Sequence, residues 1–158
     1  MAANNSAAQS GADPRVLTIE RTFDAPREMV FHCWTVPDLL ARWIGPKEFA
    51  GSILAHDFRE GGYYRVHLKS AERGDHWFEG VFREIVPPAR LVFTFRWTDA
   101  DRNPTGLETL MTLDFAEAKG ATRMILRQTG FETETARDEH NQGWTSSLDR
   151  LAEILASF

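Results

Sequence analysis

One long amphipathic helix at the end of this chain has to serve a sequence made otherwise largely of strands. Trp144, Leu148, Leu151 and Leu155 recur at i, i+4, i+7 and i+11, with Ile154 beside them, and so form a single apolar stripe. Upstream, from Gly51 to Thr129, apolar and polar residues alternate with a period of two, the pattern of antiparallel strands with one covered and one solvated face. Only the last helix is long enough to cover them. The strand that carries Met124, Leu126 and Gln128 on one face stops at Gly130, Phe131 follows, and the chain enters that helix. Thr133 or Thr135 is its expected N-cap, and Glu134 and Asp138 suit the positive end of the helix dipole. A sheet that delivers its last strand into one long helix wraps around it, and the space between the two is a natural ligand cavity.

Ahead of this lies a more mixed region. Residues 1–14 have no periodicity and few large apolar side chains, and are expected to be a disordered N-terminal tail before a single domain over 15–158. Val16 to Phe23 reads as a first strand. Asp24-Ala25-Pro26 reads as a helix start, with an acceptor side chain ahead of a proline that lacks an N–H, and the helix carries Met29, Val30, Cys33 and Trp34 inward. Pro37-Asp38 opens a second short helix with Leu39, Leu40 and Trp43 on one side, closed by Gly45-Pro46. Strands are then expected over Gly51–Phe58, Tyr63–Lys69, His76–Val86, Arg90–Trp97, Leu107–Phe115 and Thr122–Thr129, with Thr98–Thr105 as the longest loop. The fold class is therefore α+β, a curved antiparallel sheet of six or seven strands around one long C-terminal helix.

Composition narrows the function. Five Trp and eleven Phe against two Tyr supply many large apolar rings, which fill cores and also line concave pockets for greasy ligands. Eighteen basic and 23 acidic residues give a net charge of −5 with no Lys/Arg run, so there is no basic footprint for nucleic acid. No apolar run approaches the ~20 residues of a membrane span, and the N-terminus has no basic segment followed by an apolar one, so no membrane association and a cytoplasmic location are expected. The single cysteine, Cys33, lies in an apolar helical stretch and reads as a small buried hydrophobe rather than a nucleophile. The five histidines show no metal-ligand spacing, and Asp99-Ala100-Asp101-Arg102-Asn103 fails as a calcium loop because Pro104 stands where glycine is required and Leu110 where the bidentate Glu belongs. No cofactor and no metal are expected. Glu79, Glu84 and Glu108 sit on strands, but alternation against Phe78, Phe82, Thr109 and Met111 puts Glu79 and Glu108 on the solvated face.

A set of short motifs, in order and spread over residues 16–158, carries a family resemblance. They are Ala25-Pro26-Arg27-Glu28-Met29-Val30-Phe31, then Trp34-Thr35, Pro37, Leu39 and Trp43, then Arg59 with Gly61-Gly62. Gly80, Ile85, Pro87-Pro88 and Arg90-Leu91-Val92-Phe93-Thr94 follow, and last come Gly130-Phe131, His140 and Gly143-Trp144. Together they resemble the family similar to the C-terminal domain of the activator of Hsp90 ATPase, within the START-like (Bet v 1-like) superfamily. The resemblance implies a helix-grip fold. Two positions depart from the commoner family residues: Trp43-Ile44 stands in place of a Trp-Trp pair, and Gln128 in place of a histidine.

Three functions follow as expectations. The first is a non-enzymatic binding protein holding a small apolar or amphipathic ligand between sheet and helix, among Trp43, Phe78, Phe93, Phe95, Met111 and Trp144. Gln128 or Tyr64 would orient the ligand, and His140 or Trp144, four apart on one helix face, would rim the mouth. Against this stands the reading in which Gln128 makes a structural bond to backbone at its strand end and His140 bonds a loop carbonyl. The resemblance implies a second function, a co-chaperone-like partner of an Hsp90-type ATPase. It also implies a third, a cyclase- or aromatase-like enzyme acting on a cavity-bound substrate. The chain is expected to be a monomer or a homodimer.

Overall fold

The computed structural model describes residues 13–158, so most of the expected tail lies outside the described residues. Asp13 and Pro14, placed in that tail by composition, belong to a turn in which Val16 N donates to Asp13 O at 3.0 Å. Seven strands and three helices follow. In chain order these are β1 (Leu17–Phe23), α1 (Arg27–Thr35), α2 (Pro37–Leu40), β2 (Ala50–His56), β3 (Tyr63–Ser70) and β4 (Gly74–Val86). Then come β5 (Arg90–Thr98), β6 (Thr109–Ala118), β7 (Ala121–Thr129) and α3 (Glu134–Ala156). The strands form one antiparallel sheet in the order β1-β7-β6-β5-β4-β3-β2, the helix-grip architecture.

Six consecutive strands pair with their neighbours in sequence, whereas β1 is carried by α1 and α2 to the opposite edge from β2 and pairs with β7. Alternation then places one side chain in two on the concave face. Tyr64, Val66 and Leu68 of β3, Leu91, Phe93 and Phe95 of β5, and Met111, Leu113 and Phe115 of β6 are all buried there. Against them lie Trp144, Leu148, Leu151 and Leu155 of α3, in a single core that α1 completes with Val30, Phe31, Cys33 and Trp34. Burial raises the Cys33 thiol to about 11, so it is inert at neutral pH and packs as a hydrophobe.

The element ends differ from the sequence expectation in several places. Strand β4 starts at Gly74, the residue expected to make the turn, and β6 starts at Thr109 and runs on to Ala118, so the loop after β5 extends to Glu108. Strand β2 ends at His56 rather than Phe58, and Trp43 falls in the turn after α2, which is only four residues long. Asp24 does not cap α1: Pro26 itself is the N-cap, in an extended conformation, and no side chain bonds the first turn. Thr133 does cap α3, accepting from Ala136 N at 3.0 Å.

The outer face is less solvated than alternation suggests. Arg65 is only 7% exposed and donates to Glu79 Oε1 at 2.7 Å, Thr98 Oγ1 at 2.9 Å and Asp99 O at 3.1 Å. Tyr63 OH and Arg102 Nε also donate to Glu79 Oε1, at 2.8 and 3.3 Å. Glu79 thus stands on the predicted face, but inside an ion-pair cluster that anchors the root of the loop after β5. Burial of an arginine is tolerated because its donors find a carboxylate, a hydroxyl and a carbonyl.

The β4–β5 ladder is interrupted near its middle. Glu79 pairs with Arg96 and the next pair is Phe82 with Phe93, which leaves Gly80 and Val81 without ladder partners on β5, and the register itself shifts just beyond, between Phe82 and Glu84. The interruption is satisfied by side chains: Val81 N donates to Thr94 Oγ1 at 2.8 Å, and Tyr64 OH to Thr94 O at 2.6 Å. A Cβ on Gly80 would lie 1.9 Å from that same carbonyl oxygen, so only glycine fits. Gly61, by contrast, has a φ of +86° but open space where its Cβ would go. Gly80→Ala should therefore cost about 3 kcal/mol, because backbone must move, while Gly61→Ala should cost about 1 kcal/mol of backbone strain. Urea unfolding of the two variants beside the wild type checks the ranking.

Candidate functional site

Where β7 hands over to α3, the buried polar groups form one directed chain of hydrogen bonds. Gln128 is fully buried on β7 and faces Trp144 and His140 on α3. An indole N–H can only donate, and this sets the direction of everything else. Trp97 Nε1 donates to His140 Nε2 at 2.8 Å, so the imidazole proton sits on Nδ1, which donates to Gln128 Oε1 at 3.2 Å. Trp144 Nε1 donates to the same oxygen at 2.9 Å. The amide nitrogen of Gln128 then donates to Thr109 Oγ1 at 2.8 Å, and the Thr109 hydroxyl to Phe95 O at 3.0 Å. Gln128 and His140 both bond side chains here, not the backbone groups expected of them.

Beside this chain, at the N-terminal half of α3, a groove of about 850 Å³ opens between helix and sheet. Its floor is aromatic and apolar, with Leu68, Phe78, Phe95, Trp97, Phe131 and Trp144. One wall is the 44–49 segment between α2 and β2, and the others are residues 105–107 and 130–133. Polar and charged side chains stand at the lining too: Lys47, Glu48, Arg73 and His76 on one side, Glu132 and Glu139 on the helix side. Arg73 lies over the Phe49 ring at 5.1 Å from its centroid, which extends the aromatic surface toward solvent.

Two features of α3 shape the groove. Arg150 reaches back so that its Nη1 lies between 2.8 and 3.2 Å from the carbonyl oxygens of Gly45, Pro46 and Phe49, which clasps the 44–49 wall to the helix. Gly143 lines the groove in mid-helix, and a Cβ there would meet only Pro46 Cγ at an ordinary 3.7 Å. No steric conflict requires that glycine. Its lack of a side chain leaves space.

The nine residues singled out from the sequence divide three ways. Phe78, Phe95, His140 and Trp144 line the groove. Tyr64 and Phe93 line a second, small pocket of about 30 Å³, to which Phe78 and Trp144 also contribute. Trp43, Met111 and Gln128 are fully buried and line neither. Trp43 Nε1 donates to Cys33 O at 2.9 Å and its ring packs edge-on against Trp34. Both polar groups expected to orient a ligand are engaged within the protein, Gln128 by three side chains and Tyr64 by Thr94 O. Sequence reasoning did not single out Trp97, Phe131 or Gly143 as lining. Trp97 was legible from its phase on β5, and Gly143 from standing inside a strong helical pattern where glycine is unfavourable.

Two outcomes follow for this network. Gln128→Met keeps length but leaves Trp144 Nε1 and His140 Nδ1 without an acceptor, so chemical denaturation should show a loss of about 2–4 kcal/mol. Burial also pushes His140 down to about 4 from 6.5, holding it neutral in the fold. The unfolded chain takes up this proton as pH falls below 6.5, whereas the folded one resists until about 4. Stability attached to His140 is therefore complete at neutral pH and is lost between these values, by of order 3 kcal/mol at the lower end. His56, also lowered by burial, adds a slope of the same sign. Urea unfolding from pH 7 to 4 should show a flatter profile for His140→Asn than for the wild type.

Comparison with known proteins places this architecture. The family described as activator of Hsp90 ATPase homolog 1-like protein matches residues 24–156. A crystal structure from Chromobacterium violaceum is 28% identical, covering 90% of this chain and 98% of its own, with a TM-score of 0.82. The crystal structure of the protein named for that family from Silicibacter pomeroyi is 29% identical, covering 89% and 97%, with a TM-score of 0.79. A solution structure from Arthrobacter aurescens, 24% identical over 93% and 90%, shares the fold with a TM-score of 0.84. A search of curated proteins gives no match. The chain belongs to the family of activator of Hsp90 ATPase homolog 1-like proteins.

Proposed function

We propose that this protein binds a small apolar or amphipathic molecule in the groove between the N-terminal half of α3 and the sheet, without catalysing a reaction on it. The observation that carries this reading is the groove itself. Its volume of about 850 Å³ falls within the range typical of small-molecule sites, and its aromatic floor and charged surround suit a ligand with one greasy and one polar end. The placement of the buried polar groups favours binding over catalysis. Gln128, His140, Trp97 and Trp144 engage one another, and the buried ion pair of Glu79 is on the far face of the sheet. A cyclase-like mechanism needs an acid or base within reach of the ligand and free to exchange a proton, and would have to draw it from Glu48, His76, Glu132 or Glu139 at the lining.

Gly143 gives further support. Glycine in the middle of a helix costs about 1 kcal/mol relative to alanine, and packing at this site does not require it. Gly143→Leu should fill the groove from the helix side, abolish binding of an apolar fluorescent probe such as an anilinonaphthalene sulfonate, and keep or raise the unfolding temperature. A variant that melts normally and binds the probe as the wild type does would reject the groove as the site. A co-chaperone role rests on the family to which the chain belongs; an ATPase assay of an Hsp90-type chaperone with and without the protein tests it.

A further inference from the structure

The turn between β3 and β4 lays one cation on an aromatic ring of the groove. Ser70, buried at the end of β3, accepts at its Oγ from the backbone N–H of Arg73 at 3.0 Å and of Glu72 at 3.3 Å. The Arg73 carbonyl in turn accepts from His76 Nε2 at 3.0 Å. The backbone of this residue is thus fixed on both sides without help from its own side chain. That side chain stacks on Phe49, with the guanidinium carbon 5.1 Å from the ring centroid, and the His76 imidazole meets the same ring edge-on at 5.6 Å. Phe49 is buried, and all three residues line the groove.

A guanidinium stacked on a ring uses its face and keeps its in-plane N–H edges for hydrogen bonds. Among the described residues, no carboxylate lies within ion-pair distance of Arg73, so these edges have no charged partner in the protein. The other charges at the lining are placed differently. Lys47 and Glu48 are adjacent on the 44–49 wall and offset one another. Glu132 stands immediately ahead of the Thr133 cap, where the positive end of α3 favours a carboxylate. Glu139 is exposed, and the negative face of an aromatic ring offers such a group no attraction. The charge held against the aromatic surface is therefore positive.

We propose that the groove selects amphiphiles with an anionic head, a carboxylate or sulfonate, which pairs with the Arg73 guanidinium while the apolar body lies on the aromatic floor. This inference rests on the groove reading above and adds the charge of the head group to it.

The test uses the full chain and two fluorescent probes with the same apolar body, anilinonaphthalene sulfonate and the neutral N-phenylnaphthylamine. The wild type should bind the sulfonate more tightly at low salt and lose that preference as salt screens the pair. Arg73→Gln should weaken the sulfonate by about fivefold, the size of an exposed ion pair, and leave the neutral probe unchanged. As displacers of the neutral probe, dodecanoate should outcompete dodecylamine in the wild type, and Arg73→Glu should reverse that order. Both substitutions keep the backbone bonds of the turn, and unfolding temperatures check that the variants are folded. Equal binding of the two probes by the wild type, a wild-type preference for dodecylamine, or a folded Arg73→Gln variant that binds the sulfonate undiminished overturns the proposal. In those cases the neutral probe still binds and Gly143→Leu still removes it, so the groove reading stands. If the wild type binds neither probe, both readings fall together.

Discussion

Two indoles and an imidazole, buried or half-buried, meet where α3 joins the sheet, and an indole nitrogen can donate but never accept. That chemical fact requires an acceptor pointing out of the sheet at a particular height, and Gln128 provides it with one carbonyl oxygen serving both Trp144 and His140. The amide's other end is tied through Thr109 to the backbone of β5. A histidine at this position offers one acceptor nitrogen at most, so it cannot take both donors while also bonding Thr109. The amide is thus suited to this particular set of neighbours, and it holds the N-terminal half of the helix at a defined distance from the strands.

That distance matters because the two halves of α3 do different jobs. Leu148, Leu151 and Leu155 are buried against the sheet and seal the core. The preceding turns are held by polar bonds rather than by apolar contact alone, and the groove opens beside them. Arg150 stands at the junction and fixes the 44–49 wall through backbone carbonyls, which makes the wall's position independent of its own side chains. A site built this way has a rigid aromatic floor and a rim whose residues are free to vary in chemistry.

Much of the architecture was legible in the sequence because alternation and helical periodicity are properties of geometry alone. The inward faces inferred for β3, β6 and β7 are buried, whereas β5 is buried on both faces, with Val92, Thr94 and Thr98 on the far side and Trp97 only half-buried. Strand ends were harder to place, since Gly74 and Leu107 carry no local signal that says whether a ladder continues past them. The site was legible only in part. Phase identified Phe78, Phe95, His140 and Trp144 as inward, but whether an inward ring faces a groove or other rings depends on where the helix stands off. That is set by Gln128, Arg150 and Gly143 acting together across more than one element. Arg65 on the outer face shows the same limit, because its burial comes from the loop after β5 and not from its own strand.

The order of strands has a consequence in time. Strands β2 to β7 pair with sequence neighbours, but Leu17 of β1 lies opposite Gln128 itself. The first strand therefore waits for almost the whole chain to be made, and until then one edge of β7 is unpaired. Closing so long a loop is an entropic barrier that local hairpins do not face. The residue that positions α3 is thus also the residue that the chain's beginning must find. Sheet closure and helix docking therefore meet at the same residue.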